Sequence, residues 1–398
     1  MAGPQVLSSG PSRAVVVLSI TQVLGWGVLF YPPALTMTHI ATAHGWSLAQ
    51  ALAGFSIALG VSGLFAPLAC GLIDRHGGNL VMAFGALIGA LGLLILPLAD
   101  QYWLYVLGWM LLGVAMASIL YDPAFTTLTR TFGAASRRPI TLVTFAGGLA
   151  STVAWPVTHL LIEHGGWRSA YFVFAGVLVF IVAPLHAFAL PRHAVHVPPP
   201  PVAGAPIAAP AKIIPPSGLP FILMATGFAA HAFVLSGTST HLLAILQRGG
   251  LDAGTAVFIG ALFGPAQVLT RFADFMTGGR LHPLWVARVS MALMACAFIL
   301  LATAGFSTGI AALFALMYGA ANGVVTIARG ALPLAMFGAV GYGRVVGRIS
   351  RPAQILQALA PFALAYVIER WSDQGALEVS IAGILLALAC FAALRRST

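Results

Sequence analysis

The stretch Gly71-Leu72-Ile73-Asp74-Arg75-His76-Gly77-Gly78 decides how this chain is read. It sets an acid, a base, a histidine and three glycines between two long apolar runs, 48–72 and 79–98. Charged groups mark the boundary of an apolar phase. Glycine lets helices pack closely, as at Gly71, and lets the chain reverse tightly, as at Gly77. The stretch is therefore a short water-facing turn between two buried helices.

The whole chain agrees with this. Its 398 residues are 60% hydrophobic and only 7% charged, with a mean hydropathy of +0.96. Soluble domains carry about 25% charged residues. A helix needs about 20 apolar residues to cross a bilayer core. Runs of that kind fall at 14–38, 48–72, 79–98, 102–128, 139–162, 168–190, 219–246, 253–277, 284–305, 309–335, 346–368 and 377–394. They are continuous rather than alternating, which excludes a β-barrel. The expected fold is an all-α membrane protein with twelve transmembrane helices. The run after Arg13 has no small-x-small cleavage site and is too long for a signal peptide, so it reads as the first span.

The formal charge of +10 does not point to nucleic acid, because the basic residues stand singly at the ends of apolar runs. With the N-terminus placed in the cytoplasm, thirteen of the 19 basic residues lie inside. Three lie outside (Arg168, Arg248, Arg370) and three within spans. Positive residues favour the cytoplasmic side, so both termini are expected there. A single lysine, Lys212, among the basic residues, with abundant Ala and Gly, points to a GC-rich bacterial genome and hence to the bacterial inner membrane. Cys70, Cys296 and Cys390 lack metal-ligand spacing and read as small packing residues. No metal or cofactor is expected. The chain holds no H-E-x-x-H, no G-x-S-x-G and no clustered Asp pair, and His44, His164 and His193 sit in loops without partners, so an enzyme is not expected.

Residues 191–217 separate six runs from six, and nine of these 27 residues are proline. Such a segment reads as an extended linker on the cytoplasmic side. The expected division is 1–190, 191–217 and 218–398. A weak repeat supports it: a shift of 200 residues aligns Asp74 with Asp274 and Gly78 with Gly278, and a shift of 206 aligns Gly113 with Gly319 and Asp122 with Ala328, beside Arg329.

The opening stretch resembles the loop 2–3 motif of the major facilitator superfamily, roughly G-x-L-x-D-R-x-G-R. The resemblance implies two six-helix bundles with nested inverted repeats, and alternating-access transport of a small-molecule solute across the lipid bilayer. It also implies a gate in which Asp74 meets a helix N-terminus and a basic residue across the bundles, near Gly347 and Arg130. His76 and Gly78-Asn79 stand where the positive end of the motif usually lies. A monomer is expected.

Charges at membrane depth are costly and mark function by default. Five qualify: Asp122, Arg271, Asp274, Arg329 and Arg351. Arg271 and Asp274 are three apart and suited to pair on one helix face. Asp122 and Arg329 hold near-equivalent places in the fourth and tenth spans, where a pair would be a switchable gate. Gly71, Asp74, Arg75, Gly77, Arg130, Asp274, Arg329 and Arg351 form the expected gating set.

A narrower resemblance lies in Gly264-Pro265-Ala266-Gln267-Val268-Leu269-Thr270-Arg271, with Gly25-Trp26-Gly27 and Phe30-Tyr31. These are similar to the monocarboxylate and oxalate/formate porter branch, which carries an essential arginine in the eighth helix. Arg271 matches it, and a guanidinium fork suits a carboxylate. Gln267 stands where proton-coupled relatives have an aspartate, and the first span has no lysine. The expected substrate-binding set is Arg271, Gln267, Gln22, Trp26, Tyr31, Trp155, His231 and Asn322. Any coupled proton is assigned to Asp122 or His231, since histidine titrates near neutral pH. The solute is read as a small organic anion. An exporter of hydrophobic or cationic compounds depending on Asp122 and the aromatics, and a non-transporting membrane sensor, remain the alternatives.

Overall fold

A computed structural model describes residues 10–191, 217–276 and 281–395. Among them every regular element is helical. In order these are α1 (Gly10–Leu29), α2 (Pro33–His44), α3 (Leu48–His76), α4 (Gly78–Ile95), α5 (Tyr102–Ile119), α6 (Tyr121–Phe132), α7 (Arg137–Gly147), α8 (Ala150–Val177), α9 (Leu219–Arg248), α10 (Ala253–Met276), α11 (Pro283–Ala304), α12 (Thr308–Phe337), α13 (Tyr342–Arg370) and α14 (Asp373–Ala393).

Among the described residues fourteen helices make twelve membrane passes, because the first, fourth and fifth passes are broken and the fifth and sixth are joined. Pro32-Pro33 interrupts the first, between α1 and α2. Leu120 turns to an extended conformation and divides the fourth into α5 and α6. α7 and the start of α8 form the fifth. Gly166, at φ 76°, reverses the chain within α8, and the sixth pass continues through single π turns at Leu178–Val182 and Leu185–Ala189. Among the described residues nine stretches are long and apolar enough to cross a membrane, and one of them, Tyr102–Ala189, holds passes four to six. The pass formed by α13 is not among the nine; it carries Arg344, Arg348, Arg351, Gln354 and Gln357. It begins at Tyr342, a turn before the expected 346, because its first turn is polar.

Of the expected linker 191–217, only Pro191 and Ser217 are described; Gly278, His193, Arg192, Lys212, Arg280 and Arg396 also lie outside the described residues. One cluster of buried apolar side chains runs mainly from Ala14 to Leu190, and a second from Met224 to Leu394. The aligned glycines occupy matching crossings. A Cβ on Gly113 would collide with the Ala58 carbonyl on α3, and one on Gly319 would come within 2.6 Å of the Phe263 carbonyl on α10.

Substantial contacts between the two clusters' helices pair α3 with α13, α6 with α12 and α13, and α7 with α10 and α12. The α3–α13 contact runs from Gly63 to the Asp74 end of α3. A Cβ on Gly63 would sit 2.9 Å from the Arg351 carbonyl, and one on Gly347 2.7 Å from the Ala66 carbonyl. Backbone thus meets backbone, and this end is closed.

Candidate functional site

The turn after α3 depends on Gly77, whose φ of 90° suits glycine alone. The close approach expected of Gly71 belongs instead to Gly78, where a Cβ would collide with Thr127; at Gly71 the nearest atom is 4.0 Å away. Asp74 meets the N-terminus of α13. Its Oδ1 accepts from the Gly343 amide at 3.0 Å and its Oδ2 from the Arg344 amide at 2.9 Å. First-turn amides have no partner within their helix, and a carboxylate there gains from the helix dipole. The capped residues lie one turn before the expected Gly347. Gly343 is required for the approach: a Cβ would sit 2.5 Å from the Cys70 carbonyl. Arg130 also reaches this turn, but its guanidinium donates to the backbone carbonyls of Asp74 and of Ile73 (3.3 Å), not to the carboxylate. Arg75 is exposed, as is Arg351, and neither takes part in an ion pair among the described residues.

Deeper in, Asp122 and Arg329 meet across the two halves. Asp122 is 5% exposed, and its Oδ2 accepts from Arg329 at 3.0 Å and from Gln354 Nε2 at 3.3 Å. The same Arg329 nitrogen donates to Ser350 at 3.1 Å. Asp122 Oδ1 and Arg329 Nε are buried without a hydrogen bond. His231 on α9 is buried beside Arg329 and Asn322, and its Nε2 has no partner.

Arg271 does not pair with Asp274. Its guanidinium turns across α12 and α7, donating to the Gly323 carbonyl (3.2 Å), the Thr144 carbonyl (3.4 Å), Gln267 Oε1 (3.2 Å) and Thr326 Oγ1 (3.4 Å). Asp274 faces Arg137 and Thr141 of α7 instead. Arg271 is 5% exposed, and every hydrogen-bonding oxygen around it is neutral. Gln267 Oε1 also accepts from Asn322 Nδ2 at 3.2 Å, joining Arg271 to the central cluster. Space for the guanidinium comes from Gly148, at the break between α7 and α8, where a Cβ would collide with Arg271.

An aromatic wall stands next to this arginine. Tyr31 and Tyr121 lie within its electrostatic reach. Tyr31 packs 5.9 Å from Trp155 and 6.4 Å from Trp26, and Trp26 lies 4.9 Å from Tyr121. Trp155 is exposed. Gln22, expected beside them in the cavity, is fully buried with both ends of its amide engaged: Nε2 donates to the Ile119 carbonyl at 2.7 Å and Oε1 accepts from Trp26 Nε1 at 3.2 Å. Sequence reading missed Tyr121, Gly148, Ser350 and Gly343. The Gly147-Gly148 doublet in the fifth run was the available signal for one of them.

Twelve passes, a closed end built on the loop 2–3 turn and charged side chains meeting at its centre define a polytopic membrane protein of two halves. The family model of the Major Facilitator Superfamily matches residues 15–350, and the chain belongs to that family. Monocarboxylate transporter 11 of Homo sapiens is 30% identical over 139 residues, 34% of this chain and 29% of that relative, so the match spans under a third of the relative's length. Among solved structures, the human organic anion transporter MFSD10 (TETRAN) has a TM-score of 0.72 at 16% identity, covering 96% of this chain and 100% of that one. The E. coli fucose:proton symporter FucP has a TM-score of 0.75 at 13% identity, covering 98% and 100%. The proton:xylose symporter XylE has 0.74 at 12% identity, covering 98% and 97%. At these identities the structures establish a common fold.

Proposed function

We propose that this superfamily member is a secondary active transporter of a small organic anion, a monocarboxylate in the first instance, working by alternating access. One observation carries the reading. Arg271 is a buried cation whose hydrogen bonds all go to neutral oxygens at 3.2–3.4 Å, while the partly buried Arg329 is matched by Asp122. The centre therefore holds one positive charge in excess. Buried charge is costly unless paired, and an anionic solute supplies the missing partner. The curated relative named as a monocarboxylate transporter points the same way.

In this reading Arg271, Gln267 and Asn322 take the carboxylate, and Tyr31, Trp26 and Trp155 face the rest of the solute. Asp122 and His231 are the groups for a coupled proton. Asp74 of α3 docked against α13, with Gly71, Arg75, Gly77, Arg130, Asp274, Arg329 and Arg351 around the same end, forms the gate, and the 1–190 and 218–398 bundles rock about it with 191–217 as tether. The protein works as a monomer in a bacterial inner membrane with both termini in the cytoplasm. The cation-exporter alternative needs an unmatched carboxylate at the centre, and Asp122 is matched by Arg329.

The test is flux of short-chain monocarboxylates into proteoliposomes. A hydrogen bond to a charged group is worth about 1.5–3 kcal/mol, so Arg271→Gln should reduce uptake at limiting substrate by about 10–100-fold. Uptake unchanged in that variant removes Arg271 from the site.

A further inference from the structure

Gln22 has the form of a substrate ligand in the sequence and a different position in the structure. The fourth pass breaks at Leu120, so the last carbonyls of α5 face no amide of their own helix. Ile119 is the most exacting case. The residue four positions on, which would supply its helical partner, is Pro123, and proline has no N–H. The Ile119 carbonyl therefore has no helical partner in either a broken or a straight fourth pass. In hydrocarbon such a group must be satisfied from elsewhere. Gln22 Nε2 does this at 2.7 Å, across 97 residues of sequence and with no exposure to solvent.

The other side of the break is held from the same helix. Gln22 Oε1 accepts from Trp26 Nε1, and the Trp26 ring packs 4.9 Å from Tyr121, the first residue of α6. A Cβ added at Gly25, between them, would come within van der Waals distance of the Leu120 and Ile119 side chains. α1 thus grips both ends of the interruption. The arm it grips is short but meets both α12 and α13 of the other half and the end of α3 in its own. α6 presents Asp122 to Arg329, Thr126 to the close approach at Gly343, and Arg130 to the carbonyl of Asp74.

We infer that Gln22 is a positioning residue of the closed end: it pins the Ile119 carbonyl at the break in the fourth pass and thereby sets the angle of α6 against the C-terminal half. This assigns Gln22 to the conformational equilibrium and takes it out of the substrate set, whichever solute is carried.

The test uses the ligand-free full chain, so no substrate is needed. Spin labels go on exposed Leu80→Cys and Val340→Cys, one on each half, in a Cys296→Ala background. Double electron–electron resonance then reads the closed and open distances. Gln22→Leu should lower the closed-to-open ratio by about fivefold or more, the effect of stranding one buried acceptor. Gln22→Glu, which as a buried neutral acid keeps a donor for the Ile119 carbonyl and an acceptor for Trp26, should retain most of the ratio. A second pair within the N-terminal half, Leu80→Cys and Trp103→Cys, should keep its distribution. The inference is overturned by an unchanged ratio in Gln22→Leu, by an equal loss in Gln22→Glu, or by broadening of the second pair, which would make Gln22 a residue of bundle stability alone.

Discussion

α3 and α10 occupy matching places in the two halves, each with an aspartate near its end, and they meet the opposite half differently. Asp74 gives both carboxylate oxygens to backbone amides of α13, and Gly63, Gly343 and Gly347 bring the two backbones into contact. Asp274 faces the side chains of Arg137 and Thr141 on α7, and Arg271 on the same helix reaches the Thr144 carbonyl. A backbone-to-backbone contact leaves no room for a solute. A contact made by long side chains can open around one. On the proposed function, the comparison divides the labour between a seal at α3–α13 and a site at α10–α7.

The largest expected effect lies between the two, at the pair that ties them together. Asp122→Ala leaves Arg329 without its carboxylate, and breaking a buried pair costs about 3–5 kcal/mol. Thermal unfolding in detergent should show a marked fall in Tm, and Asp122→Ala combined with Arg329→Met should regain most of it. If the double variant is as unstable as the single, the two charges are not coupled.

Next comes the seal itself. Gly343→Val places atoms on the Cys70 carbonyl, 2.5 Å from the new Cβ, and overpacking costs about 1–3 kcal/mol. The closed distance between labels at Leu80 and Val340 should be lost. Asp74→Asn removes the charge but keeps the shape, and should weaken the closed state by about 0.3–1 kcal/mol. That loss should be visible as a shift in the same distance distribution.

Gly148→Ala is the counterpart on the α10 side and sharpens the contrast. Its new Cβ collides with the far end of Arg271, which can swing away, and otherwise comes 3.1 Å from the Phe145 carbonyl. Stability should stay within about 0.5 kcal/mol, while anion uptake falls with the displaced guanidinium. A Gly148→Ala protein as unstable as Gly343→Val would show that α7–α10 is packed as tightly as α3–α13.

The passes were legible because each is a continuous apolar run, and most boundaries agree within a few residues. Polar helix starts were not. Hydropathy cannot see that Tyr342-Gly343-Arg344 is already helix, so the helix end met by Asp74 was expected a turn late, at Gly347. Spacing placed Arg271 and Asp274 on one face, but spacing does not say which neighbour each side chain reaches. Their partners sit on α12 and α7, and a glycine at 148 decides where the guanidinium can go. The buried bonds of Gln22 were illegible for a related reason. A polar residue in an apolar helix looks like a cavity liner until the unpartnered carbonyl it serves, 97 residues away, is known. Pro123 was the clue, since an internal proline always strands a carbonyl four residues back.

The central claim is that one unmatched buried cation, Arg271, selects an anionic solute. The most direct measurement is the thermal unfolding of purified protein against matched panels of short-chain carboxylates and organic cations, repeated with Arg271→Gln. A ligand at 100 times its Kd stabilises the folded state by about 2.7 kcal/mol. The account predicts that one or more carboxylates raise Tm, that cations do not, and that Arg271→Gln abolishes the shift. Stabilisation by cations alone, or a carboxylate shift that persists in Arg271→Gln, would contradict it.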